Sequence, residues 1–258
     1  MFDAMQVSAT GMRAHETQIN TISQNVANMN TVGYRRKLVS FAELSMDVSG
    51  VLSAEKLNAL ATSSARGAGS LALLSLSNQA GELRQTGEAL DVAVVGAGFF
   101  EVERSDGSLA YTRAGNLHID ASGNLQTIAG DTLTAQVNVP VGATDLRIAA
   151  DGKVTATVDG VAETELGQIE LATFSNPAAL LPVGDNLYAA TEQSGELQMG
   201  TPGEYGLGTV RQGYLESSNV QMIDELVALM IAQRAFEMNS RVAQAADQIQ
   251  SITNGLIR

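Results

Sequence analysis

Apolar residues recur every seven positions at the start of the chain. Met5, Met12, Ile19 and Val26 form one series, and Ser8, His15, Ile22 and Met29 follow each of them by three. This is the a/d spacing of a helical seam, weak at its start where the d positions are polar. The string Asn28-Met29-Asn30-Thr31-Val32-Gly33 should end that helix, with Gly33 as the left-handed residue. The C-terminal pattern is longer. Ala228, Ile231, Ala235, Met238, Val242, Ala245, Ile249, Ile252 and Leu256 step alternately by three and four. Ser217, Ser218 or Asn219 can cap that helix, and Asp224-Glu225 falls where acids suit the helix dipole.

Between the ends the pattern changes to short β-prone runs: Leu90–Val95, Phe99–Glu103, Asn116–Ile119, Val154–Val158 and Ile169–Phe174. Turn pairs recur at Asp106-Gly107, Ser122-Gly123, Asp151-Gly152, Asp159-Gly160 and Ser194-Gly195, so an antiparallel all-β domain is predicted. Val51–Ala65 has helical spacing, and Arg66-Gly67-Ala68-Gly69-Ser70 reads as a linker. The expected class is α+β: long N- and C-terminal helices pairing as a coiled-coil-like bundle, with a central all-β domain. The expected divisions are 1–36 (N-terminal helix), 37–70 (extended linker), 71–213 (β domain) and 214–258 (C-terminal helix).

Composition sharpens this split. Of 25 Gly, 21 lie from Gly67 to Gly213, with all four Pro. Residues 1–36 carry a net charge of +1 and residues 214–258 carry −2, which leaves −12 of the total −13 in the centre. An isolated helix with one apolar seam is marginal in water. The two terminal seams can bury each other, and copies from neighbouring chains are the natural cover for what remains. The competing reading is that both helices simply pack on their own domain.

Candidate chemistry is sparse. A charge of −13 is a poor match for a phosphate backbone, so no nucleic-acid partner is expected. The absence of Cys removes disulfides, thiolate zinc sites and a thiol nucleophile, and His15 and His118 alone offer little for a metal site or a triad. No run approaches the roughly 20 apolar residues of a membrane span. No basic-then-apolar leader is visible, so export without a cleaved signal is expected. Gly96-Ala97-Gly98 lacks the third glycine and following helix of a dinucleotide loop and reads as a turn. Asp120, Asn124, Asp151 and Asp159 lack calcium-loop spacing. The pairs Glu101/Glu103 and Glu163/Glu165 read as solvated strand faces rather than acid/base pairs. Arg35-Arg36-Lys37 is the one dense basic cluster, suited to helix C-terminal carbonyls or an acidic neighbour. No catalytic residue, cofactor or metal is assigned.

Several strings together resemble the rod–hook family of bacterial flagellar axial proteins. Ser23-Gln24-Asn25-Val26-Ala27-Asn28-Met29-Asn30-Thr31-Val32-Gly33-Tyr34 resembles its N-terminal signature. Gly213–Val220, followed by Gln233-Arg234-Ala235-Phe236-Glu237-Met238-Asn239-Ser240, resembles its C-terminal one. Gln85-Thr86-Gly87, Gly98-Phe99-Phe100, Tyr111-Thr112-Arg113-Ala114-Gly115, Asn176-Pro177 and Gly184-Asp185-Asn186-Leu187-Tyr188 are similar to central strings of that family. Length and central strings look most like its distal-rod members, with proximal-rod or hook paralogues as the alternative and a secreted binding module or adhesin as the reading from another class.

The resemblance implies a structural, non-enzymatic subunit of the basal-body rod in the periplasm. Such a subunit forms a helical polymer of identical copies, exported by the flagellar type III apparatus, that carries torque from motor to hook. Implied partners are proximal rod proteins, the hook protein and the surrounding P- and L-ring proteins, with no direct membrane insertion. Residues 37–70 are then expected to contact neighbouring subunits. The expected assembly interface is Met5, Met12, Ile19, Ile22, Val26, Asn28, Asn30 and Gly33 with Ile231, Ala235, Met238, Val242, Ala245, Ile249, Ile252 and Leu256. The terminal segments are expected to order on assembly.

Overall fold

A computed structural model describes residues 2–44, 69–135, 137–158 and 160–256; for residues 2–5, 43, 44, 69–71, 250 and 253–256 it describes the backbone alone. The helical spacing of 51–65 and the 66–68 part of the expected linker lie outside these residues, as do the side chains of Met5 and Leu256. The chain is α+β and divides into two units. One takes the described residues within Met1–Ala27, Lys37–Ser75 and Gln221–Arg258; the other takes Asn28–Arg36 and Leu76–Val220.

The first unit contains helix α1 (Phe2–Ala27), helix α2 (Met222–Leu256) and a two-stranded sheet of Lys37–Leu44 with Gly69–Leu76. A strand therefore begins at Gly69, where a linker is expected. The helices pack against each other. Asn25 of α1 bonds Glu225 of α2, and Gly11 lies against Asn239. Both contacts advance by 14 residues, from 11 to 25 and back from 239 to 225, so the pair is antiparallel.

The face of α2 that is covered differs from the expected seam. Its buried or half-buried positions are Glu225, Ala228, Leu229, Ala232, Ala235, Asn239, Ser240, Ala243 and Ala246, a stripe with helical spacing in which alanine predominates. Ile231, Met238, Val242, Ile249 and Ile252 stay 52–67% exposed. Small side chains let two backbones approach closely, and on α1 Gly11 lies against Asn239, with Ser8 and Ala14 buried three residues to either side. A heptad fixes the period of a helix, whereas the bulk of the opposing helix decides which of two parallel stripes it covers.

The second unit is β-rich. A seven-stranded sheet runs in the order Leu181–Gly184, Leu187–Ala189, Leu109–Thr112, Phe100–Glu103, Thr132–Leu133, Leu125–Thr127 and Leu117–Ile119. A three-stranded antiparallel sheet holds Thr144–Ile148, Lys153–Val158 and Val161–Gln168. Short antiparallel pairs join Leu171–Phe174 to Leu197–Gly200, Val92–Val95 to Thr209–Gln212, and Leu83–Gln85 to Tyr214–Glu216. The turns expected at 106–107, 122–123 and 151–152 connect neighbouring strands. The core gathers Val92, Phe100, Val102, Leu125, Val154, Ile169 and Leu171, all nearly inaccessible to solvent. A satellite cluster packs Phe99, Tyr111, Phe174 and Tyr188 edge to face, with ring centroids 4.8–6.3 Å apart.

Three further expectations change. Helix α1 ends at Ala27, so Gly33 is not its cap; it holds φ +67° in the turn segment beyond. Ser217–Asn219 do not cap α2, which starts at Met222; the Ser218 hydroxyl accepts the Val220 N–H, and Asn219 is committed elsewhere. Glu101 is not solvated: it is buried and accepts the Tyr111 hydroxyl at 3.2 Å.

Candidate functional site

Four of the family-like strings meet in the β-rich unit around one carboxylate. Glu216 closes the strand Tyr214–Glu216 and is 2% exposed. Its Oε1 accepts Arg35 Nη2 at 2.8 Å and the Gly81 N–H at 2.9 Å, and its Oε2 accepts Arg113 Nη1 at 3.3 Å. Its backbone carbonyl accepts the Gly33 N–H at 2.7 Å. Arg113 also donates to the carbonyls of Val94 and Gly96, and its guanidinium lies over the Phe99 ring, 5.2 Å from the centroid. Arg35 reaches the Gln79 carbonyl as well. The basic cluster thus finds an acidic neighbour through Arg35.

Buried charges persist only when paired and hydrogen-bonded, and this group meets both conditions. Burial pulls Arg113 down from 12.5 to about 10; Glu216 opposes that shift and Arg35 adds to it. Arg113 therefore stays a cation at neutral pH. Removing Glu216 would leave two buried guanidiniums without their shared carboxylate, a change that typically costs about 3–5 kcal/mol.

Amide side chains complete the joint. Asn186 donates to the Val32 carbonyl at 2.8 Å, while the Thr112 hydroxyl donates to the Asn186 carbonyl at 3.0 Å. Asn219 accepts the Arg36 N–H at 2.6 Å and donates to the Gln79 carbonyl at 2.8 Å. Gly33 must be glycine here, because a Cβ would stand 2.5 Å from the Arg113 carbonyl carbon. Segment 32–36, beyond α1 in sequence, and segment 216–219, before α2, are thus fastened to each other and to the same Gln79 carbonyl.

The expected assembly residues fall into three groups. Asn28 and Gly33 lie in the segment that enters this joint, where Asn28 bonds Thr31 through its carbonyl and side chain, and Asn30 is exposed. On α1, Ile22 is buried and Met12, Ile19 and Val26 are half-buried. On α2, Ala235 is half-buried, while Ala245 and the five larger residues named above are exposed in the single chain. Glu216, Arg113, Asn186 and Asn219 were not among the expected site residues, although each lies inside a family-like string. Asn25 and Glu225, buried in the first unit, were also outside that set.

Nothing in this arrangement presents an open acid, base or nucleophile. The Glu101–Tyr111 pair is buried, and burial first, then the Glu101 charge, pushes the Tyr111 phenol up to about 12. No cluster of three or more metal-ligating side chains occurs among the described residues. No helix among them is long and apolar enough to cross a membrane.

The family comparisons address both ends and the centre. Residues 5–35 match the family described as "Flagella basal body rod protein", residues 93–156 the "Flagellar hook protein FlgE/F/G D1 domain", and residues 211–256 the "Flagellar basal body rod FlgEFG protein C-terminal". The chain is 40% identical over 257 residues to the flagellar basal-body rod protein FlgG of Agrobacterium fabrum, covering 97% of this chain and 98% of that one. It is 34% identical to FlgG of Bacillus subtilis, covering 98% of this chain and 99% of the relative. To the flagellar hook-basal body complex protein FlhP of the same organism it is 28% identical over 99% of this chain and 100% of the relative. The joint ties together residues from both terminal matches and the central one, and with full-length relatives of this similarity the chain belongs to the FlgG family of flagellar basal-body rod proteins.

Proposed function

We propose that this chain is the structural subunit of the distal rod, polymerising through its terminal helices into a helical tube that carries torque from motor to hook. The observation that carries this is the uncovered stripe of α2. Ile231, Met238, Val242, Ile249 and Ile252 form a long apolar row with coiled-coil spacing that α1 does not cover. Water-exposed apolar rows of this length mark interfaces, and rod-family membership makes other copies of the chain the natural occupant. In the polymer this row forms the coiled-coil-like seam of the inner bundle. Greater similarity to FlgG than to FlhP in one organism favours the rod paralogue.

The Glu216 joint has a mechanical role in this reading. A shaft must not let its subunits unravel under shear. A buried carboxylate shared by two guanidiniums and flanked by three amide-type bonds resists stepwise peeling, because freeing segment 216–219 strands the buried Arg113 and freeing segment 32–36 removes one of the carboxylate's two cations. Export as an unfolded chain through the flagellar type III apparatus, contacts with proximal rod, hook and P- and L-ring proteins, and inter-subunit contacts by residues 37–70 belong to the same proposal. So does a structural rather than catalytic role. Sedimentation and circular dichroism against concentration test it. The full chain should gain helix as it sediments faster; a fully helical monomer at every concentration would reject assembly through the helices.

A further inference from the structure

The covered face of α2 poses a register problem. Ala228, Ala232, Ala235, Ala243 and Ala246 line much of it, with Leu229, Asn239 and Ser240 half-buried beside them, so a slide of α1 by one heptad again sets mainly small side chains against small side chains. Near-uniform seams of this kind specify proximity but not alignment. One polar cluster on the seam is fully buried. Asn25 and Glu225 are both 1% exposed or less. The Asn25 amide donates to the Lys37 carbonyl at 2.9 Å and to Glu225 Oε2 at 3.2 Å, and its Oδ1 accepts the Lys37 N–H at 3.0 Å. Oδ1 and both uses of the NH2 group are therefore committed, and three elements meet at one side chain: α1, α2 and the strand Lys37–Leu44.

We infer that Asn25, bridging Lys37 and Glu225, is the register pin of the helix pair, the residue that selects one antiparallel alignment from several that the alanine seam would accept. The chemistry is specific to an amide. An aspartate at 25 loses both donors and faces Glu225 with a like charge, and a leucine cannot copy the paired bonds to Lys37. A heptad slip would take Glu225 away from Asn25 and bury it elsewhere on the seam, at the cost of a desolvated carboxylate. Alignment matters for a polymer subunit because it sets where the exposed stripe of α2 stands along the helix axis. The inference itself rests on the packing within one chain and holds whether or not the polymer reading does.

The chain has no cysteine, so engineered pairs report alignment without background. Gly11→Cys is combined in the full chain with Asn239→Cys, which lies opposite it, or with Ala232→Cys or Ala246→Cys, which a heptad slip brings opposite. Disulfides within one chain are read as fast-migrating monomer on non-reducing gels, separately from dimers. The 11–239 pair should close and the two shifted pairs should not. In the Asn25→Ala/Glu225→Ala background the shifted pairs should rise by at least about tenfold relative to 11–239, the least expected for lost hydrogen bonds to a buried charge. Glu225→Gln, which keeps the acceptor, should hold the native pattern. Should the double variant lose its helices by circular dichroism, Glu225→Ala alone, with Asn25 still on Lys37, carries the same expectation. Shifted pairs that stay closed off in these variants, or an 11–239 pair that never forms, overturn the inference. Sedimentation of the same samples reports polymerisation independently.

Discussion

Gly33 holds φ +67° with no room for a methyl group against the Arg113 backbone. Gly33→Ala should therefore cost about 2–4 kcal/mol in the denaturation of the β-rich unit, the sum of a left-handed alanine and a backbone shift. An equilibrium denaturation midpoint unchanged by the substitution would contradict that geometry. Tyr111 supplies a second residue-scale test, at alkaline pH. Its phenol stands at about 12 in the fold against 10.0 ordinarily. A group raised in the folded state stabilises fully below its unfolded value and loses that contribution as pH climbs through the folded one. Tyr111 thus withdraws stability between pH 10 and pH 12. Arg113, down from 12.5 to about 10, acts in the opposite sense over much of that window, since the unfolded chain there binds the extra proton. Thermal melts of Tyr111→Phe should show a smaller fall in Tm from pH 10 to pH 12 than the unsubstituted chain; an equal fall would locate the alkaline loss elsewhere. At this scale the sequence showed that Gly33 needs the left-handed region but not why, because the obstructing backbone lies just after the strand Leu109–Thr112, 80 residues away. The alternation Glu101/Glu103 likewise could not say that the neighbouring strand would turn a tyrosine onto one of them.

At the scale of elements, both helices and five of the central strands were legible because their periods differ, 3.5 against 2, and glycine-bearing turns punctuate the second. What remained hidden was the rotation of α2. Its bulky stripe and its alanine stripe share one period, and hydrophobicity favours the bulky one as a seam. The structure gives α1 the alanine stripe and leaves the other in water. This division of faces makes an element-scale prediction. Met238→Asp with Val242→Asp places two charges on exposed positions, where surface substitutions change folding stability by about 0.5 kcal/mol or less each. The same charges would be buried without partners at a helix–helix interface between copies. The double variant should keep its thermal midpoint within a few degrees yet fail to form fast-sedimenting species at concentrations where the parent does. Filaments of ordinary length from this variant would remove the stripe from the assembly interface.

For the whole molecule, the boundaries of independent folding follow from where the charges are shared. The compositional break at Gly213 and the helix end near Gly33 suggest a β domain of 71–213, yet the carboxylate that neutralises Arg113 lies at 216 and the second guanidinium at 35. Strand Leu83–Gln85 pairs with Tyr214–Glu216, and the Gln79 carbonyl is held by Asn219 and Arg35. A fragment of 71–213 therefore loses the partner strand of Leu83–Gln85 and leaves Arg113 buried with its carboxylate gone. A fragment of 28–220 retains every member of the joint while lacking both helices. Composition could not mark this boundary, because the joint is built from single residues of the terminal strings rather than from a change in average character. The 28–220 fragment should be a folded monomer that does not polymerise. The 71–213 fragment should be less stable by several kcal/mol, about the cost of breaking a buried ion pair plus a short strand pairing. Urea denaturation of the two fragments, followed by far-ultraviolet circular dichroism, compares them directly. Equal midpoints would mean that the joint fastens the terminal segments without supporting the β-rich unit. A 28–220 fragment that still sediments as a polymer would move the assembly interface from the helices to the strands.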